Sequence, residues 1–214
     1  GETGRHFQPP ITMATVAFRR LVMAGTCSPD TSNAILITVE PVPGPNIIGN
    51  AQTLCFGSVP SILTGSSPTG GNGLMMFQWL SSPDNLIWSH ITSGTQSDYS
   101  PGSLVATQYF SRILISGVCP IDTTPSIVVQ IDSLISNNTI GLSQTICAGT
   151  QPHILTGQFP QGGNGIYTYQ WLSSLTQGAW SNIPQATQQD YQPGTLSQTV
   201  AFARIVISGV CTQD

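Results

Sequence analysis

Lysine is absent from this chain of 214 residues; its basic residues are five arginines, Arg5, Arg19, Arg20, Arg112 and Arg204. Only 7% of the residues are charged, and the formal net charge is −4. Without a basic cluster there is nothing to neutralise phosphates, which excludes nucleic acid as a partner. There is no basic amphipathic stripe for a membrane surface and no apolar run of spanning length, so no membrane insertion is expected in this segment. A sustained helical period is also missing. Histidine is scarce, and His6, His90 and His153 do not recur: the matching positions hold Asp98, Asn182 and Ser61. No Cys–His pair, clustered carboxylates or other catalytic constellation is legible, so no enzyme is expected.

What the chain does have is a period. Cys27, Cys119 and Cys211 are each 92 residues apart, and the same interval separates Cys55 from Cys147, Trp79 from Trp171 and Trp88 from Trp180. Whole strings share that register: Ile-Leu-Thr-Gly at 62–65 and 154–157, Gly-Gly-Asn-Gly at 70–73 and 162–165, and Gln-Trp-Leu-Ser-Ser at 78–82 and 170–174. A fixed period of this length indicates an array of small domains. Thr3, Phe7, Pro9, Phe18 and Arg20 match Thr95, Tyr99, Pro101, Phe110 and Arg112. Residues 1–40 are therefore expected to be the second half of a unit, 41–132 a complete unit, and 133–214 a unit lacking its last strand. That register argues that the opening Gly1-Glu2-Thr3-Gly4 is native and not a cloning scar.

Each unit reads as short strands separated by turn chemistry. Strands are expected at 52–56, 61–64, 74–80, 86–90, 108–116 and 126–131, with 34–39 closing the first partial unit. About seven short strands in such a unit predict an all-β class of tandem Ig-like β-sandwich repeats in an extended array. Trp79 and Trp171, on the central strand, are expected in the core between the sheets. Trp88 and Trp180 are candidate surface contacts, and Arg112 and Arg204 are expected to stack on an aromatic ring. In an Ig-like winding the first strand begins at the same pole as the loop between the last two strands. That places Cys55 with Cys119 and Cys147 with Cys211 as disulfides within each unit; Cys119 with Cys147 is the disfavoured rival. Paired cysteines in small β domains imply an oxidising, extracellular setting. The short junctions 41–46 and 133–138 favour a semi-rigid rod.

Several of these strings resemble a known family. Gln144–Gly149, Gly162–Trp171, Asp190–Leu196 and Ala203–Cys211 look like the tandem Ig-like or PKD-like repeats of giant cell-surface proteins in Bacteroidota, the SprB-like gliding-motility adhesins among them. The resemblance covers essentially the whole chain. It implies export by type IX secretion, display on the bacterial cell surface, and a structural or adhesive role in a long filament. The partners expected are neighbouring repeats of the same chain, with surface polysaccharide or other filament copies beyond them. The alternative is a set of carbohydrate-binding β-sandwich repeats in a secreted multidomain protein, with Trp88, Trp180 and Tyr99 as contacts.

Cofactors and metals are not expected, because each junction offers one acid, Glu40 or Asp132, and a calcium ion takes six to eight oxygen ligands. Ser133 and Thr123 are candidate O-glycosylation sites: Asp132-Ser133-Leu134 and Asp122-Thr123-Thr124 resemble the Asp-(Ser/Thr)-hydrophobic signal of Bacteroidota.

Overall fold

The computed structural model describes residues 3–213; Gly1, Glu2 and Asp214, the outermost residues of the expected 1–40 and 133–214 units, lie outside them. Among the described residues all regular structure is strand. In chain order these are β1 Val16–Phe18, β2 Leu21–Val22, β3 Asp30–Thr31, β4 Ile35–Ile37, β5 Ile48–Gly49, β6 Gln52–Cys55, β7 Thr64–Gly65, β8 Met76–Ser82, β9 Ser89–His90, β10 Gln108–Ile115, β11 Asp122–Thr123 and β12 Ile127–Ser136. They continue as β13 Gln161–Gly163, β14 Thr168–Ser174, β15 Ser181–Asn182, β16 Ala201–Ser208 and β17 Cys211–Gln213.

The complete unit is a sandwich of one large and one small sheet. The large sheet runs β12-β10-β8-β9, with β11 also on β10 and β6 joining β12 in parallel. Opposite it lie β5 and β7, extended by backbone bridges from Gly44 to Thr69 and from Leu63 to Tyr99. Ile48, Leu63, Trp79, Phe110 and Val129 fill the space between, and Trp79 and Leu63 are wholly buried. The indole of Trp79 packs on Tyr99, and Tyr99 on Phe110, at centroid distances of 5.8 and 5.9 Å. Trp171, Tyr191 and Phe202 repeat the arrangement at 5.8 and 5.9 Å, and Trp171 is likewise wholly buried.

The strand pairing recurs as faithfully as the sequence. In the first partial unit Val16 faces Ile37 and Leu21 faces Thr31; one period on, Gln108 faces Val129 and Ile113 faces Thr123. The fold is thus the expected all-β array of Ig-like units. Two differences are local. The strand expected at 86–90 shrinks to Ser89–His90, because Asn85 adopts positive φ and Asp84 caps the backbone amides of Leu86 and Ile87 in a turn; that expected at 61–64 becomes Thr64–Gly65, preceded by a single bridge from Leu63 to Tyr99. The closing strand expected to end at Ile131 runs on to Ser136, through the segment expected to be a linker.

Candidate functional site

The junction between successive units is the most elaborated feature of the chain. β12 begins as the closing strand of one unit, pairing with β10 and β6. It continues into the next, where Ser133 faces Gly163 and Ser136 faces Gln161 on β13. The preceding junction shows the same contacts, with Gly71 N donating to Pro41 O at 2.7 Å and Gly44 bridging Thr69. Strings that read as generic turns in the sequence are the parts that receive this strand. Gly163 adopts φ +58°, and a Cβ there would overlap the Ser208 hydroxyl. Asn164 Oδ1 accepts from Ser208 Oγ at 2.9 Å and from Ile166 N at 2.9 Å, fastening the Gly-Gly-Asn-Gly turn to the end of β16. Ile135, Val206 and Cys211 form a small core astride the junction, with Cys55, Tyr167 and Tyr169 packed against it.

A covalent bond crosses the same place. Cys55 is joined to Cys211, 156 residues away, with the Cα atoms 5.2 Å apart. This corrects the pairing expected within each unit, Cys55 with Cys119 and Cys147 with Cys211: Cys119 and Cys147 carry free thiols, as does Cys27. The cause is the direction of β6. The first edge of the unit does begin at the pole of the turn after β10, but Cys55 lies at its far end. There the parallel register sets it beside Asp132, at the pole facing the next unit. Cys119 lies at the opposite pole, its Sγ 3.7 Å from Pro41 O. A disulfide with buried Cys211 as one partner fits an oxidising, extracellular environment.

Beyond the junction strand, Asn138 reaches the buried arginine of the second unit. Arg204 Nε donates to Asn138 Oδ1 at 3.0 Å, Nη1 to Gln189 O at 2.9 Å and Nη2 to Gln158 O at 2.8 Å. Its counterpart Arg112 is wholly buried. Arg112 Nε and Nη2 donate to Asn46 Oδ1 at 3.0 and 2.8 Å, Nη1 to Ser97 O at 2.6 Å and Nη2 to Ser66 O at 3.1 Å. The guanidinium groups stack 4.5 Å from the Phe77 ring centre and 5.0 Å from that of Tyr169. Burial pushes the pKa of each guanidinium down; Asp98 opposes this for Arg112, and Tyr169 and Asp190 for Arg204. Both stay cationic near neutrality, given the very high starting value. Gly65 and Gly157, the glycines of Ile-Leu-Thr-Gly, leave the room: a Cβ on either would overlap the Nη1 of its arginine. Asn46 and Asn138 were missed as sequence features, although each stands 66 residues before its arginine.

The remaining sequence candidates are dispersed. Asp98 and Asp190 accept the Gly65 and Gly157 amides, both at 2.8 Å, and so serve the scaffold. Among the described residues no group of three or more His, Cys, Asp or Glu could hold a metal ion. Ser133 is exposed on β12 at the junction and Thr123 is exposed on β11. Trp88 is half-buried, whereas Trp180 is 41% exposed. Trp180 also borders an open groove of about 760 Å³ with Ile146, Leu196, Val200 and Phe202. In the complete unit the equivalent place is taken by β12, which pairs with β10 and β6.

A family model described as "Domain of unknown function (DUF8696)" matches residues 44–133 and again 136–214. No curated protein gives a significant match. Among solved structures, the crystal structure of domains A168-A170 from titin superposes with a TM-score of 0.52. It is 14% identical, and the match covers 94% of this chain and 71% of that one, which speaks to the fold alone.

Proposed function

Since the chain belongs to the DUF8696 family, with two copies in tandem, we propose that it is a structural and adhesive repeat segment of a long filament on a bacterial cell surface. The observation that carries this reading is the junction. A strand shared by two units, a packed contact and a disulfide together oppose bending and stretching between neighbours, as a load-bearing fibre needs and a flexible tether does not. The low charge suits adhesion through many weak contacts, where affinity accumulates by avidity instead of one deep site. The protein is read as a gliding or attachment adhesin, displayed after type IX secretion in a member of the Bacteroidota, and not as an enzyme.

The test is to image the protein in place. Antibodies against this segment should label filaments outside intact cells, and electron microscopy should show a thin fibre beaded every few nanometres. Labelling confined to a compact particle or to the cell interior would overturn the reading.

The exposure of Trp180 keeps the second reading, carbohydrate-binding repeats, in play. Glycan arrays separate the two: saturable binding lost in Trp180→Ala, with the fold intact, favours the binding module.

A further inference from the structure

We infer that the Cys55–Cys211 bond is one rung of a repeating ladder: Cys119 and Cys147 are half-cystines of the same kind, each paired with a cysteine 156 residues away, upstream for Cys119 and downstream for Cys147. The basis is positional identity, not the mere presence of thiols. Cys211 Sγ lies 3.6 Å from Ser133 O and 3.8 Å from Asp132 O; one period earlier, Cys119 Sγ lies 3.7 Å from Pro41 O and 3.9 Å from Glu40 Oε2. Cys55 reaches Cys211 because β6 runs parallel to β12 and ends beside Asp132. The strand preceding Glu40 repeats the β12 pairing residue for residue, as Val16 opposite Ile37 shows, so its free edge is where an upstream copy of β6 lies. That edge brings a cysteine to Cys119. The same rule one period later takes Cys147, the counterpart of Cys55, to the counterpart of Cys211 in a following unit.

Each rung forms when two thiols lose two protons and two electrons to a disulfide oxidant, such as a dithiol–disulfide oxidoreductase or oxidised glutathione, which leaves as two thiols. The consequence is topological. Loops of 156 residues started every 92 residues overlap, so every peptide bond within the array lies inside at least one loop. A single proteolytic nick then cannot sever the fibre. Tension travels along a covalent path in which each pair of units contributes only the 28 residues from Cys119 to Cys147. Fully drawn out that segment is about 95 Å, against about 630 Å for the two units' whole chain.

The inference rests on the array reading only for the presence of further copies, and the test separates the two. In the 214-residue chain, with free thiols alkylated before denaturation, trypsin should leave 21–112 linked to 205–214 and release 113–204 carrying two labels. In-unit pairing would instead hold all three peptides together. In the protein isolated from its native cells under alkylation, Cys119 and Cys147 should carry no label and should map, after a second cut with chymotrypsin, to cysteines 156 residues away. Labelled Cys119 and Cys147, or partners at any other spacing, would overturn the ladder, whatever microscopy shows of the fibre.

Discussion

Removing Asn46 should cost the first complete unit more than its size suggests, because the guanidinium of Arg112 has no water to fall back on. Asn46 Oδ1 takes two donors from that group and its Nδ2 donates to Arg112 O at 3.2 Å. Hydrogen bonds to charged groups contribute about 1.5–3 kcal/mol each, and a charged donor left buried without a partner costs at least as much. Ser97 O and Ser66 O retain Nη1 and Nη2, so the loss in Asn46→Ala is about 3–4 kcal/mol. Arg112→Met removes the charge, keeps apolar contact with Phe77, and strands neutral acceptors at a cost of about 2–3 kcal/mol. In Asn46→Ala with Arg112→Met no buried charge remains to be stranded, so the effects should fall short of their sum by about 2 kcal/mol. In scanning calorimetry the transition of this unit should drop by about 15 °C in Asn46→Ala, while that of the second unit, with its own Asn138–Arg204 pair, moves little. Additivity within about 0.5 kcal/mol, or a shift of only a few degrees, would refute the claim that Asn46 is there to satisfy a buried cation.

Gly65→Ala should lower the same transition by about 1–3 kcal/mol, since the new methyl displaces the guanidinium; unchanged melting would contradict the packing. Asp132→Asn should raise stability by about 1 kcal/mol, because Asp132 Oδ2 is buried without a hydrogen bond and the amide removes a charge from that place. A drop in melting temperature would count against this. When the chain is pulled from its ends, the disulfide should shield residues 56–210, and adding reductant should release about 500 Å of further extension. Equal extension with and without reductant would exclude the cross-junction bond. The Asp84 carboxyl, which accepts the amides of Ile87 and Leu86 and the Ser82 hydroxyl, should titrate below the ordinary 3.8 by NMR. Its contribution is present above the unfolded-state value and fades as pH falls through the lowered one; an ordinary midpoint would refute the cap.

The fold was legible because its determinants are local and recur. Gln78 and Trp79 illustrate this: the Gln78 amide donates to Trp79 O at 2.8 Å and Ile91 O at 2.7 Å, while the indole donates to Gln96 O at 3.0 Å. Gln170 and Trp171 repeat those bonds, so the dipeptide marks the central strand wherever it occurs. The disulfide was not legible, for a definite reason. A period fixes where each cysteine stands within a unit and leaves open the copy in which its partner lies. That choice depends on the pole reached by β6, hence on its parallel run along β12, a long-range pairing with no local signature. The shared strand was hidden for a related reason. Ser133 and the residues after it read as a short junction, and only the pairing of Ser133 and Ser136 with Gly163 and Gln161 makes them strand. Asn46 and Asn138 could have been found, since two asparagines in register at one fixed distance from two buried arginines announce a structural partnership.

The junction and the arginine cluster are continuous with one another. β12 leaves one sandwich while paired with β10 and β6, passes the Cys55–Cys211 bond beside Asp132, pairs with β13, and reaches Asn138 on the Arg204 guanidinium. Relative movement of the two units is therefore opposed side by side by ladder bonds along the strand, by a covalent bond, and by charge-assisted bonds inside the next core. A hinge would leave the units free about a few backbone torsions; here three kinds of restraint act on one junction. Buried arginine also explains how a chain with so few charges can still use them structurally. In the absence of lysine, the planar guanidinium alone offers enough fixed donors to gather an asparagine and several backbone carbonyls around one point. That point is what the incoming strand holds. The repeat is better understood, on these grounds, as a connector whose sandwich exists to grip the strand arriving from its neighbour.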